Sequence, residues 1–330
     1  MGRSLPNLAL VGCGAIAQGF YCPALLTHRA RFDKVWLVDP SDEALNRAQA
    51  ILPGNRAKHL SEVDGDLDLV IVATPNQTHF VVAKQAIERG AHVLIEKPFV
   101  LSPEEGRNLM ATATAAHRTI AINQTRRYYD LVEELRSRIS AREFGELVSV
   151  EHREGTRLDW PFQSGSAFLP GAYRTGVIMD FGVHVIDLYH YLLEPTWSVV
   201  SCSHDGFRGP EGLAHIELRC HDAPISIRLS RYYQQTNRAR LAFERGVVEF
   251  GVYNAREYAV RIGARIFRSF AGSPSGSRFT IPERVLLNLL AVWEGKAEPV
   301  CDAKSSLPVI AVLDELYRRS RLFASELGAV

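Results

Sequence analysis

The sequence predicts an α/β protein in two parts: a doubly wound parallel sheet at the N-terminus, then an α+β domain built on an open, mostly antiparallel sheet. Three observations predict this. Over the first 122 residues, continuous apolar runs alternate with helix signals, the pattern of a parallel sheet covered on both faces. After Leu193, β signals follow one another and apolar residues alternate with polar ones in Ala223 to Arg231, as in a sheet with one buried face. The chain has 330 residues, 46% of them hydrophobic and 23% charged, which suits about two globular domains. The expected domains are 1–122 and 123–330, with a C-terminal helix over 305–325 packing back on the first.

In order along the first part, Leu8 to Val11 is a short apolar strand that runs into Gly12, and Ala15 to Leu26 is helix-compatible. Val35 to Val38 is the second strand, closed by Asp39-Pro40. Ser41 is placed to cap the next helix, through Ala50, with Asp42 and Glu43 favourable in its first turn. Leu67 to Ala73 is the third strand, Thr78 to Arg89 a helix stopped by Gly90, and Ala91 to Ile95 the fourth strand. Ser102 caps another helix, with Pro103 first inside it and Glu105 three residues past the cap. Thr119 to Ile122 is the fifth strand.

The second part opens with an amphipathic helix, Leu131 to Arg142, and a strand, Leu147 to His152. A polar and aromatic stretch fills 154–175, and Gly176 to Leu193 reads as a helix. In Ala223 to Arg231, Ile225, Ile227 and Leu229 alternate with Ser226, Arg228 and Ser230. Further strands are expected near 213–220, 239–244, 247–253 and 257–262, and helices over Pro282 to Trp293 and Ser305 to Ser325.

Charge and composition exclude several function classes. Lys plus Arg number 38 and Asp plus Glu 37, a net charge of +1, so neither nucleic acid nor an anionic membrane is an expected partner. No apolar run reaches the roughly 18 residues of a membrane-spanning helix. The first apolar run enters a glycine motif and not a small-residue cleavage site, so no signal peptide is expected and the cytoplasm is the expected location. The five Cys include no C-x-x-C pair and are expected as free thiols.

Residues 12–17 read GCGAIA, a G-x-G-x-x-A turn between a strand and a helix. Gly12 allows the tight turn, Gly14 the approach of a pyrophosphate, and Ala17 close helix–strand packing. The helix N-terminus then offers unpaired N–H groups to phosphate. Asp39 ends the second strand 25 residues after Gly14. A carboxylate there accepts from both ribose hydroxyls and repels a 2′-phosphate, so NAD is expected over NADP. The third strand ends in ATPNQTH (73–79) and the fourth in EKP (96–98), both at the sheet edge where ligands sit. The residues expected against the cofactor are therefore Gly12, Gly14, Ala15, Ile16, Asp39, Ala73, Thr74, Pro75, Asn76, His79, Glu96 and Lys97.

In GVIMDFGVHVIDLYH (176–190), Asp180, His184 and Asp187 fall on one helical face. Three readings stay open: metal ligands, for which no further ligand set is evident; a polar surface stripe; or a cleft in which Asp180 orients His184 as a base. No metal is expected, and His190 lies off this face.

Taken in order and spacing, GCGAIA, Asp39, ATPNQTH, EKP and DFGVHVID make the sequence resemble the Gfo/Idh/MocA oxidoreductases. The resemblance covers essentially the whole chain. It implies a Rossmann domain, an open-sheet second domain used for oligomerisation as a dimer or tetramer, and Lys97, Asp180 and His184 as catalytic positions. It also implies a cis bond before Pro98. One departure is RRYYD at 126–130, where many members carry Arg-Phe and then Pro.

The expected reaction is NAD(P)-dependent, reversible oxidation of a secondary alcohol on a sugar, sugar derivative or cyclitol. Substrate contacts are expected from Arg127, Trp160, Tyr173, Asp180 and His184. The alternatives are reduction of a nucleotide-linked keto sugar, NAD-dependent glycoside cleavage, and a cofactor-binding sensor without turnover.

Overall fold

The computed structural model describes residues 5–157, 175–206, 209–254, 256–271 and 279–323. Contacts group the chain into two compact units. One holds residues up to Thr125 together with Phe279–Pro308; the other holds the chain from Arg126 and from Val309 onward.

The first unit is a six-stranded parallel sheet. Its elements are β1 (Leu8–Val11), α1 (Cys22–Thr27), β2 (Val35–Val38), α2 (Asp42–Ile51), β3 (Asn55–Ala57), β4 (Leu69–Val72), α3 (His79–Glu88), β5 (His92–Glu96), α4 (Pro103–Ala115) and β6 (Ile120–Asn123). The strand order is β3-β2-β1-β4-β5-β6. β1 and β4 are buried throughout, which explains why they read as unbroken apolar runs. The caps fall where the sequence puts them: Ser41 Oγ accepts from Ala44 N, and Ser102 Oγ from Glu105 N. β3 was not legible in sequence. It is a three-residue edge strand whose Asn55 and Arg56 are exposed, so it carries no apolar signature.

The second unit contains α5 (Asp130–Ser140), β7 (Leu147–Gly155), α6 (Val183–Leu193), β8 (Trp197–His204), β9 (Leu213–Cys220), β10 (Ala223–Ser230), β11 (Arg238–Phe243), β12 (Gly246–Gly251), β13 (Glu257–Ile262) and β14 (Arg265–Phe270). The chain then passes through α7 (Ile281–Trp293), which belongs to the first unit, and α8 (Ala303–Arg319) to β15 (Arg321–Leu322). The nine-stranded sheet runs β14-β13-β12-β11-β7-β10-β9-β8-β15. It is antiparallel except where β10 pairs with β7 and β15 with β8.

Three strands of this sheet, β8, β14 and β15, were missed. β8 has a register shift between Val199 and Ser201, and a bulge breaks the alternation that marks a strand. β14 is an outer strand whose side chains are nearly all exposed, so no face of it is apolar by selection. The predicted helix over 305–325 ends earlier, at Arg319, and gives way to β15.

In the first unit α7 carries a capping box at Thr280 and Glu283. Its Trp293 Nε1 donates to Asp68 Oδ1 at 3.4 Å. Nearby, Ile122 N donates to Cys301 O at 2.8 Å. The first unit is thus completed by a segment, Phe279–Pro308, that interrupts the second unit in sequence.

Candidate active site

In the first unit, the residues singled out from the motifs gather at the carboxyl edge of the parallel sheet. The strand order reverses between β1 and β4, and such a switch point opens a crevice for a ligand. Gly12 has φ +90°, and a Cβ built on it would stand 2.5 Å from the carbonyl carbon and oxygen of Ala73. Only glycine permits that turn and that approach. Among the described residues nothing lies within 4 Å of the Gly14 Cβ position, which leaves its backbone open to a ligand there. Helical backbone starts at Ala15, passes through a π-turn at Ala17–Tyr21 and continues as α1. Ala17 is fully buried against the sheet.

The neighbouring side chains are tied down. Asp39 Oδ2 accepts from Cys13 N at 2.8 Å and Oδ1 from Ser41 N at 2.8 Å. This fixes the carboxylate beside the glycine turn. Burial, with Asp39 and Cys22 nearby, pushes the Cys13 thiol up to about 12, so it is not a nucleophile at neutral pH. Glu96 does not project as a free acid. Its Oε1 accepts from Tyr21 Oη at 2.8 Å and from Asn123 Nδ2 at 2.7 Å, and it is 7% exposed. Lys97 follows, half-buried, with a cis peptide bond to Pro98. Pro75 is exposed and Asn76 half-buried, at the start of a short 3₁₀ turn. Thr74 Oγ1 is buried with no hydrogen-bond partner among the described residues.

His79 was expected against the cofactor, and the structure places it elsewhere. It is fully buried, with Nδ1 2.8 Å from Pro98 O and Nε2 2.8 Å from Thr74 O. Both ring nitrogens are engaged by the protein's own backbone. Glycine turn, anchored carboxylate, open Gly14 and orphaned Thr74 hydroxyl together fit a dinucleotide with its phosphates at the helix start.

In the second unit, Asp180 sits in a π-turn (Ile178–Gly182) that leads into α6, and His184 in the first turn of α6. Ile178, Met179, Phe181, Gly182, Val183, Val185 and Ile186 are buried around them, and only Asp180 and His184 keep partial exposure. Asp180 Oδ2 accepts from Arg231 Nη2 in an ion pair. The same guanidinium lies 3.9 Å from the Phe181 ring centroid, and its Nη1 donates to Thr156 Oγ1 at 3.3 Å. Thr156 and Arg231 directly follow the parallel strand pair β7 and β10.

Asp187 does not join this pair. It is 1% exposed and binds Arg127 through both oxygens, at 3.0 and 2.6 Å. The expectation that Arg127 reaches substrate is corrected by the same contact. Arg127 is 5% exposed, clasped by Asp187, and stacked 4.9 Å from the Tyr191 ring centroid. Removing one partner strands a buried charge, so Arg127→Ala is expected to cost about 3–5 kcal/mol of stability by denaturant titration. Arg127→Met with Asp187→Leu should recover most of it.

A second buried network was not foreseen. Glu154 Oε1 binds Arg126 Nη2 at 2.6 Å, Oε2 lies 3.1 Å from His152 Nε2, and His152 Nδ1 lies 2.8 Å from Tyr189 Oη. Burial alone would raise the Glu154 carboxyl, but Arg126 and His152 override it and hold it well below the usual carboxylate range. His190 is half-buried and accepts from Trp197 Nε1 at 3.3 Å. Trp160 and Tyr173 lie outside the described residues.

Comparison with known proteins places these features. A family model described as an oxidoreductase family with an NAD-binding Rossmann fold matches residues 7–124, and a GFO/IDH/MocA C-terminal domain matches 132–249. The UDP-N-acetylglucosamine 3-dehydrogenase of Acidithiobacillus ferrooxidans is 33% identical over 150 residues, 44% of this chain and 44% of that protein. The D-glucoside 3-dehydrogenase of Escherichia coli is 27% identical over 203 residues, 58% of this chain and 55% of that protein. The chain thus spans about half the length of the curated relatives it matches. Among solved structures, a 3-ketoreductase from Actinomadura kijaniata aligns with TM-score 0.83 at 15% identity, over 97% of this chain and 99% of that one. A dehydrogenase from Bordetella pertussis aligns with TM-score 0.78 at 21% identity, over 97% and 96%. At these identities the structures establish the fold.

Proposed function

Because the chain belongs to the Gfo/Idh/MocA oxidoreductases, with their NAD-binding Rossmann fold, we propose that it interconverts a secondary alcohol and a ketone on a sugar, sugar derivative or cyclitol. The observation that carries this reading is the Asp180–His184 pair: two polar side chains with partial exposure, at a helix start whose other residues are buried. A sensor that only holds a cofactor has no use for such a pair. The two similar proteins named as 3-dehydrogenases of sugar substrates support the substrate class.

Gly12, Gly14, Asp39 and Thr74 would hold the dinucleotide. When bound, its nicotinamide supplies the site that accepts or returns hydride. The protein's part is proton handling and charge stabilisation. His184 takes the hydroxyl proton, a task that imidazole side chains suit near neutrality. Asp180, held by Arg231, orients the imidazole. Lys97 donates a hydrogen bond to the reacting oxygen and stabilises negative charge as it develops there. Run in reverse, His184 returns the proton and the same groups serve ketone reduction.

We also propose NAD as the preferred cofactor. The Asp39 carboxylate is anchored beside the glycine turn by two backbone donors, so it cannot swing away from an incoming 2′-phosphate. The expected kcat/KM ratio favours NAD by at least about 10²-fold, which corresponds to about 2.7 kcal/mol. Asp39→Ser should cut that preference at least tenfold, measured by steady-state kinetics with both cofactors.

The direct test is NAD reduction followed at 340 nm over inositols, aldoses, sugar phosphates and nucleotide sugars, with NADH oxidation tested against keto sugars. Turnover on a member of these classes, lost in His184→Ala, is the expected result. No turnover with any of them, in either direction, overturns the reading.

A further inference from the structure

We propose that His79 is a positioning residue for Lys97, tying together the two loops at the sheet edge; this rests on the oxidoreductase reading above, which gives Lys97 its role. His79 opens α3, yet its side chain does not cap that helix. The ring spans from the loop after β4 to the loop after β5, with Thr74 O 2.8 Å from one nitrogen and Pro98 O 2.8 Å from the other. Its exposure is 0%, so water cannot take over either contact. Without the ring, the buried contact to Pro98 O and the part-buried one to Thr74 O would both be lost.

The geometry selects histidine. An imidazole is rigid and planar, with polar atoms on opposite sides, so it fixes the separation of the two carbonyls it touches. Lys97 immediately precedes Pro98, and Thr74 carries the hydroxyl that is buried without a partner among the described residues. One ring therefore sets the spacing of two segments assigned to cofactor and substrate. The charged groups acting on the ring are Glu96 and Lys97, and burial holds its pKa below the ordinary histidine value.

The test reads the position of Lys97 with and without catalysis. In the full-length protein, acetylation of lysines by acetic anhydride is followed by mass spectrometry as a function of pH, with no cofactor present. In His79→Phe the Lys97 labelling profile should move by about one pH unit, while exposed Lys34 stays unchanged. His79→Gln, which keeps an amide donor, should move it less and serves if the Phe variant does not fold. In turnover, His79→Phe should lose at least about 10-fold in kcat. Adding it to Lys97→Ala should cause little further loss, because the two act through one group. An unchanged Lys97 labelling profile in both His79 variants overturns the proposal. So does full multiplication of the His79 and Lys97 losses. Full activity of Lys97→Ala instead sinks the role given to Lys97, and the labelling profile still decides whether His79 positions it.

Discussion

Lys97→Ala should reduce kcat by more than the roughly 10²–10⁴-fold that loss of one positioned acid–base group costs, while His184→Ala falls within that range. The difference follows from the roles. An imidazole that takes a proton can be replaced in part by water. An ammonium that stabilises charge on oxygen has no such stand-in, because water brings no net charge to set against the developing anion. Binding of NADH, followed by fluorescence, should change by less than tenfold in either variant, so the loss lies in the chemical step. Two variants with near-normal turnover would remove both residues from the mechanism.

Gly12→Ala should be the most damaging single-methyl change in the first unit. The residue would have to keep φ +90° with its Cβ 2.5 Å from the Ala73 carbonyl group. Backbone strain of this kind costs on the order of 1–3 kcal/mol. The contact adds to it, because it is with backbone and no side chain can turn aside. The carboxyl ends of β1 and β4 must then part, and dinucleotide binding goes with them. Gly14→Ala is the matched control. Its Cβ meets nothing within 4 Å, so the melting temperature should hold while NADH affinity falls. Equal melting temperatures for Gly12→Ala and the parent would show that the turn is not built as described.

How much of this was legible in sequence depends on whether a residue's partner lies nearby in the chain. Gly12, Asp39 and the caps Ser41 and Ser102 act within a few residues of a strand or helix end, so pattern alone finds them. The spacing of Asp180, His184 and Asp187 suggested one face; the structure leaves Asp180 and His184 half-buried and buries Asp187. Asp187 left because Arg127 comes from 60 residues away, a pairing no local pattern encodes. Arg231 was missed although a signal existed. It follows Ile225, Ile227 and Leu229 in the inward phase of β10, and a charge in that phase asks for a buried partner. Glu154 and His152 sit in the same phase as Val150 in β7 and carry the same unread signal. His79 was read as a ligand contact because a histidine in a loop motif suggests one; its burial came from folding that motif back onto Pro98.

The return of Phe279–Pro308 to the first unit has a consequence for synthesis. As the nascent polypeptide leaves the ribosome, all six strands of the parallel sheet emerge before α7 and the Cys301 carbonyl that Ile122 requires. At about 5–20 residues per second, that half-finished sheet waits on the order of ten seconds for its last helix. An apolar edge exposed for that long is where a chaperone would earliest find this chain.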